Sequence, residues 1–418
     1  MLQQVYDIET PVNLTAVGIK VRKEAPWILE LTEPATEDQC AELSNRLRAA
    51  DETCDYNGSG FDRPILGAVL DKAPPARIHE FGNSLISARK DGRNQWDVQR
   101  MFRHKPENLP NMIDLLVYVR ESTEGDGSTK SSAGLKSIAG RLGLQVMEMP
   151  FDHRAPVTPD QMPLLREYLK SDLMVTEAVR EALDDKIRVR AELEAVYGLP
   201  GLRAMTAAKL AATVITTEYC GASGVEIDEI KEAAGRNRNR PFTLQLPQWV
   251  LDGVRGTSAE AVAAKVNGAV FEVANGKRQD PDIEWPSELT LDEGALRLTF
   301  GLGGIHTQDS KFGEGYAAYD VSSMYPAILM RDQCTPAHLD QELFHLIYGA
   351  VLEERLKAKR AKQKLKADGL KLILNSTFGQ MNSAYSLLYS PARFLNITVS
   401  GQLSLIALGD RIGAKHGV

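Results

Sequence analysis

The stretch Gln4-Val5-Tyr6-Asp7-Ile8-Glu9-Thr10 sets β-favouring residues beside two carboxylates two positions apart. Alternate residues of a strand share a face, so Asp7 and Glu9 point to the same side at the strand's end. Two carboxylates held together repel unless a cation lies between them. Further on, Asn57-Gly58-Ser59-Gly60-Phe61-Asp62 places an acid in a glycine-loosened turn ahead of an apolar run. In Tyr168-Leu169-Lys170-Ser171-Asp172 a phenol and an acid stand at i, i+4 on one helical face. Four acids and a phenol converging in this way suit two-metal phosphodiester hydrolysis, since carboxylate oxygens are the ligands that Mg²⁺ prefers. A lone D-x-E is usually a solvated strand end, and the order of the three stretches is what carries the argument. Asp114, in MIDLLVY, also stands near a strand end and reads as a loop or capping acid.

Around these motifs the first half reads as α/β. Short β-rich runs at 4–6, 15–21 and 27–31 precede a helix-period stretch at 36–50 that opens on a Thr cap. The run 112–118 alternates like a strand, 131–144 reads as a short helix closed by Gly143, and 164–183 is strongly helical. A domain boundary is expected near residue 180. From 174 to 240 the composition turns Ala-, Glu- and Arg-rich at helical spacing, until Pro241 and Pro247 interrupt it. Asn275-Gly276 between polar-apolar alternations is a strong hairpin signal, and 289–307 supplies further strands. Helices are expected over 340–366, 369–378 and 399–416.

The 418 residues are 43% hydrophobic and 25% charged, which excludes a disordered or collagen-like chain. A formal net charge of −7 does not advertise a nucleic-acid binder, so an anionic partner must meet local basic patches. Cys40, Cys54, Cys220 and Cys334 form no CxxC pair, which points to reduced thiols rather than zinc. With no signal-peptide pattern and no long apolar run, a soluble, cytoplasmic protein is expected.

The second half has its own chemistry. Tyr319-Asp320-Val321-Ser322-Ser323-Met324-Tyr325-Pro326 begins as a strand and turns at a proline, leaving Asp320 where a metal could be held. Between 355 and 371, eight basic residues face one acid, a local balance of +7 inside an acidic chain. Most such lysines serve a solvated face. Arg355 and Lys359 are nonetheless one turn apart, and Lys371, Asn375 and Gly379 follow at i+4 steps, a geometry suited to gripping a triphosphate.

DIET, NGSGFD and YLKSD look like the three motifs of the 3′–5′ proofreading exonuclease domain of DNA polymerases, with 47 residues between Glu9 and Asn57 and 105 between Asp62 and Tyr168. The stretch at Asp320 resembles DxxSLYPSII of family B DNA polymerases, and Lys371 to Gly379 resembles KxxxNSxYG, with Phe378 in place of the usual Tyr. The chain is thereby identified as similar to family B DNA polymerases over essentially its whole length. The resemblance implies a ribonuclease-H-like exonuclease domain over 1–180, then a helical connector and hairpin region over 181–298. It further implies a first palm segment over 299–330, helical fingers over 331–385 and a second, incomplete palm segment over 386–418.

It also implies roles. Asp7, Glu9, Asp62 and Asp172 would hold two Mg²⁺ ions, for which Mn²⁺ may stand in. Tyr168 would orient the attacking water, and Asn57 and Phe61 would hold the frayed primer end. Asp320 would bind both polymerase metals, and Tyr325 would floor the incoming sugar. Arg355, Lys359 and Lys371 would neutralise dNTP phosphates, with Asn375 and Gly379 around the nascent base pair. Gly303-Gly304, loosely like the family's YxGG linker, reads as a turn near the DNA backbone.

The implied partners are primer-template DNA, single-stranded 3′ ends and dNTPs, and no membrane. The only acid after Lys371 is Asp410, read as a helix-surface residue. The expectation is thus a compact phage or prophage replicase whose chain stops short of the YxDTDS-like motif and thumb: a gene fragment, a split half needing a second chain, or an interrupted product. The competing reading is a stand-alone 3′–5′ exonuclease whose polymerase portion only holds DNA. A catalytically silent DNA-binding module is disfavoured by the four acids. No GxxxxGK[ST] loop points to another nucleotide chemistry.

Overall fold

The computed structural model describes residues 2–123, 134–152, 154–279, 289–291, 296–301, 304–307, 321 and 323–416. The chain divides into two compact units, Met1–Thr206 and Ala207–Val418.

In unit 1 the three N-terminal runs form β1 (Gln3–Glu9), β2 (Thr15–Val21) and β3 (Trp27–Leu31), paired antiparallel in succession. Two strands, β4 (Glu52–Asp55) and β5 (Met112–Asp114), add in parallel on the other side of β1, giving the order β3-β2-β1-β4-β5. A central strand must be covered on both faces, and the side chains of β1 alternate to meet that need. Tyr6 and Ile8 join one core with Leu43, Leu47, Ile65 and Phe81. Val5 joins the opposite core with Ile113, Leu165, Leu169 and Leu173.

Four helices line the first core: α1 (Glu37–Ala49), α2 (Asp62–Leu70), α3 (Pro75–Lys90) and α4 (Gln95–Phe102). The second is lined by α5 (Leu115–Thr123), α6 (Leu135–Arg141), α7 (Met162–Ala182) and α8 (Asp184–Tyr197). At the start of α1 the expected Thr36 cap is half of a reciprocal pair. Its hydroxyl accepts from Gln39 N (3.3 Å) while the Gln39 side chain accepts from Thr36 N (2.9 Å).

Several sequence expectations need correction. The strand expected over 112–118 stops at Asp114, and α5 starts at Leu115. There the Asp114 carboxylate accepts from Leu116 N (3.0 Å) and turns the backbone into a helix. The helix expected over 131–144 spans Leu135–Arg141, its first expected residues lying outside the described ones. β4 had no signal in the sequence.

The expected boundary near 180 falls in the last turn of α7, and unit 1 runs on to Thr206. Polar side chains bind that extension to α5. Arg190 stands 4.0 Å over the Tyr118 ring and donates to Met205 O (2.6 Å). Tyr118 donates to Arg203 O (2.6 Å), and Arg203 pairs with Glu194 (2.7 Å).

Unit 2 begins with α9 (Ala207–Ser223) and α10 (Ile227–Arg236), followed by β6 (Phe242–Thr243), α11 (Gln248–Val254) and α12 (Ala259–Val266). The hairpin read at Asn275-Gly276 is present. β7 (Val270–Ala274) and β8 (Lys277–Gln279) flank a two-residue turn with φ 52° and 74°, the left-handed values that Asn-Gly favours, and β6 completes the sheet. A second sheet contains β9 (Leu289–Leu291), β10 (Leu296–Gly301) and β11 (Gly304–Thr307).

The remaining helices are α13 (Met324–Arg331), α14 (Gln341–Arg360), α15 (Lys364–Gln380) and α16 (Pro391–His416). The expected helix over 340–366 is therefore two, broken where Lys362 turns left-handed (φ 56°). The helix expected over 369–378 is the body of α15, and that expected over 399–416 starts eight residues earlier at Pro391, a favoured first position. A bond from Tyr348 OH to Leu374 O (3.1 Å) ties α14 to α15, and both pack on α9. No helix among the described residues is long and apolar enough to cross a membrane.

Candidate active site

Asp7 and Gly18 are register partners on β1 and β2, and that pairing places the acids. Gly18 lets α7 lie directly on the sheet: a Cβ there would meet Leu173 Cδ1 at 2.8 Å and Leu169 at 3.1 Å. Tyr168 and Asp172 each precede one of these leucines, so the helix brings them over the end of β1. Asp7, Glu9 and Asp172 each offer an oxygen, and these atoms lie within 4.8 Å of one another. Asp62, expected in a turn, is instead the first residue of α2, and it is buried beside the cluster. The Tyr168 hydroxyl and the Asp172 carboxyl lie near enough for each to shift the other's titration.

The Asp7, Glu9, Asp62 and Tyr168 side chains line one cavity of about 780 Å³, together with Asn57, Phe61, Asn83 and Phe151. One end of the cavity is acidic and the rest is largely apolar.

Burial and mutual repulsion push these acids toward their neutral forms. The Asp7 carboxyl is raised to about 7, first by burial and next by Asp172. Burial, Asp7 and Asp172 hold Glu9 well above the ordinary carboxylate range. Asp62 is held there by burial, Asp7, Asp55 and Glu9. Burial also raises Asp172, against the Tyr168 hydroxyl and the Lys136 charge. The Oδ2 atom of Asp7 is buried with no hydrogen-bond partner. An orphaned carboxylate oxygen among acids that destabilise one another is a donor set that fits a hard divalent cation.

Sequence reasoning missed the groups that support the cluster. Asp55, fully buried at the end of β4, accepts from Arg63 Nε (2.8 Å) and Nη2 (3.4 Å) and from the Tyr6 hydroxyl (3.1 Å). It also explains Gly58, where a Cβ would lie 2.1 Å from Asp55 Cγ. Asp114 is a capping acid, as its position suggested: its carboxylate accepts from the N–H groups of Asn57 (2.9 Å) and Ser59 (3.2 Å). Lys136 holds its ammonium 5.0 Å from the Tyr168 ring centre and pairs with Glu148 (2.8 Å). Nothing in the sequence marked Asp55, because ETCD has neither length nor alternation. Arg63 beside Asp62 was visible, but its partner was not.

In unit 2, Tyr325 stacks on Phe378 at 4.5 Å between ring centres, and Phe378 on Phe394 at 5.1 Å. Arg355 donates to the Ser323 hydroxyl. Lys371, Asn375 and Gly379 are exposed at i+4 steps along α15, and Lys359 is exposed on α14. Two lysines of the basic run belong to surface pairs, Lys357 with Glu353 (3.0 Å) and Lys366 with Glu354 (2.6 Å). Asp320 and Gly303 lie outside the described residues, while Gly304 opens β11 opposite Gly301. Asp410 is more than a surface acid. It accepts from Ser258 N (2.7 Å) and Oγ (2.6 Å), where α12 begins.

No protein-family model matches the chain, and no curated protein matches it. Among solved structures it is similar to the family B DNA polymerase from the hyperthermophilic archaeon Pyrobaculum calidifontis, with a TM-score of 0.50 at 14% sequence identity. The match covers 99% of this chain and 51% of that one, so the chain spans about half the length of that polymerase. At this identity the likeness is one of fold, and the fold of this chain is like that of a family B DNA polymerase.

Proposed function

We propose that the chain is a DNA-directed DNA polymerase of family B type with a 3′–5′ exonuclease, unit 1 trimming the primer end and unit 2 binding the incoming nucleotide. The convergence of Asp7, Glu9 and Asp172 within 4.8 Å carries the reading. The sheet order β3-β2-β1-β4-β5, with its antiparallel meander and two parallel additions, supports a ribonuclease-H-like exonuclease domain.

In this reading Asp7, Glu9, Asp62 and Asp172 would hold two Mg²⁺ ions, whose chemistry would be to activate a water and to stabilise the leaving oxygen. The chain's own residues do the rest. Tyr168, whose hydroxyl burial and the neighbouring acids keep protonated, positions water through its phenol. Phe61 and Phe151 take an unpaired base against their rings, and Asn57 holds the strand end. Lys136 offsets the negative charge of Glu9 and Asp172. In unit 2, Arg355, Lys359 and Lys371 meet the triphosphate, Asn375 and Gly379 the new base pair, and Tyr325, backed by Phe378, the sugar. By the family resemblance Asp320 would hold the metals there, and Gly303-Gly304 would meet the DNA backbone.

A labelled primer-template with Mg²⁺, with and without dNTPs, tests this. The expected result is primer shortening with or without dNTPs, abolished in Asp7→Ala and Asp172→Ala, with extension only when a second chain completes the polymerase site. Shortening that no added chain turns into extension favours a stand-alone exonuclease. A primer untouched with and without dNTPs refutes the reading.

A further inference from the structure

Unit 2 carries a cationic surface that uses none of the residues given a role above. Three segments build it: 237–240, the turn of the β7–β8 hairpin, and 384–389. They are bonded to one another. Gly276 N donates to Arg238 O (2.8 Å), and Asn275 N to the Asn239 side-chain oxygen (2.7 Å). The Tyr389 hydroxyl donates to Gly276 O (3.3 Å), and Asn237 Nδ2 donates to Tyr389 O (3.4 Å). Ala384 packs so close to the hairpin that a Cβ on Gly276 would lie 2.3 Å from its own. The surface is therefore held in place before any partner arrives.

The charged side chains within these segments, with Lys277 and Arg278 beside the turn, are all cationic. Arg238, Arg240 and Lys277 make no ion pair with any described residue, and Arg278 and Arg238 both lie near enough to Tyr389 to act on its phenol. The exposed acid of the hairpin, Glu272, stands at the end away from the turn, opposite Gln279. Tyr385 is 89% exposed, and the Arg238 guanidinium lies 5.5 Å from its ring centre. A cavity of about 260 Å³ lined by Asn237, Arg240, Phe242 and Ser390 lies beside it. Cations with no ion pair to a described residue suit phosphates, and an aromatic face left in water suits an unpaired base, a combination that recurs in single-strand binding. An acidic peptide would use the cations and leave Tyr385 idle.

We propose that this surface binds a single strand of DNA, with Arg238, Arg240 and Lys277 on its phosphates and Tyr385 stacked on a base. The inference rests on the reading of the chain as a DNA enzyme and adds a binding surface to it.

The test is fluorescence anisotropy with a labelled oligothymidylate and the full chain in an Asp7→Asn, Asp172→Asn background, titrated over a salt series. Neutralising three phosphate contacts in Arg238→Gln, Arg240→Gln, Lys277→Gln should flatten the log–log salt slope by about 2. Tyr385→Ala should weaken single-strand binding five- to tenfold and duplex binding little, and Tyr385→Phe should restore it. Unchanged slope and affinity in variants with wild-type melting curves would overturn the surface. So would displacement of the DNA by polyglutamate together with indifference to Tyr385→Ala. Mn²⁺ binding that is lost in Asp7→Asn reports separately on the acid cluster. If it persists while these variants show no effect, the surface alone is refuted. If the chain binds neither Mn²⁺ nor DNA, both readings fall.

Discussion

Arg63 follows Asp62 in the chain and turns back to Asp55, where both groups are withdrawn from water. Such a pair adds little net stability, but breaking it is expensive because one buried charge is left uncompensated. Arg63→Met is expected to lower the unfolding free energy by about 3–5 kcal/mol in a urea titration, and Asp55→Asn added to it should recover part of the loss. A loss indistinguishable from zero would mean that water reaches Asp55.

The acid cluster makes a prediction of opposite character. Without metal, Asp7 holds its proton up to about pH 7, whereas an unfolded Asp releases it near about 3.9. The folded state binds the extra proton, so stability is fully present below about pH 4 and declines as pH rises through 7. Glu9, Asp62 and Asp172 shift the same way. In EDTA, Tm should therefore fall between pH 4 and 7, less steeply in Asp7→Asn, and Mn²⁺ should reverse the fall. A Tm that rises across that window contradicts the assignment of a strained, metal-free cluster.

At the scale of elements, the site depends on how closely α7 approaches β2. Gly18 has no side chain where Leu169 and Leu173 need the room. Gly18→Ala must push these leucines or the helix aside, at a cost of about 1–3 kcal/mol for overpacking. The same displacement moves Tyr168 and Asp172 away from Asp7. Mn²⁺ titration should then show at least about a tenfold weaker affinity, since metal sites tolerate errors of only about half an ångström. Unchanged affinity would show that α7 yields without carrying Asp172 with it. The α14–α15 pair is built differently: its break at 361–363 follows from the left-handed turn at Lys362, and its basic face stays in solvent.

At the scale of the whole molecule, unit 1 closes at Thr206. A chain cut at 180 would lose Leu183 and Ile187 from the second core. It would also lose Arg190 against Tyr118 and Glu121 and Arg203, which lies 3.8 Å from the buried Glu52. Residues 1–206 are expected to melt cooperatively and gain stability with Mn²⁺ by mass action, and residues 1–180 are expected to lack a sharp transition in circular dichroism. Cooperative melting of the shorter fragment would place the limit of the unit earlier.

Local periodicity and turn chemistry were legible without coordinates: the first three strands, the Thr36 cap, the Asn275-Gly276 hairpin and the long helix bearing Tyr168 and Asp172. Each rests on residues a few positions apart, so the chain carries the signal in one place. The candidate metal ligands were legible only as a set, because the order of DIET, NGSGFD and YLKSD resembles the exonuclease motifs, while each carboxylate pattern alone reads as a solvated strand end or helix face.

What no local pattern contains is contact across the chain. Asp55 was silent because its meaning lies in Arg63 and Tyr6, and Gly18 because its meaning lies in Leu169 and Leu173. The extension to Thr206 and the surface around Arg238 and Tyr385 are assembled by bonds between segments tens to more than a hundred residues apart. Residue types and their order decide which side chains are available for chemistry. Packing across the chain decides which of them meet, how deeply they are buried, and so how strongly their charges act.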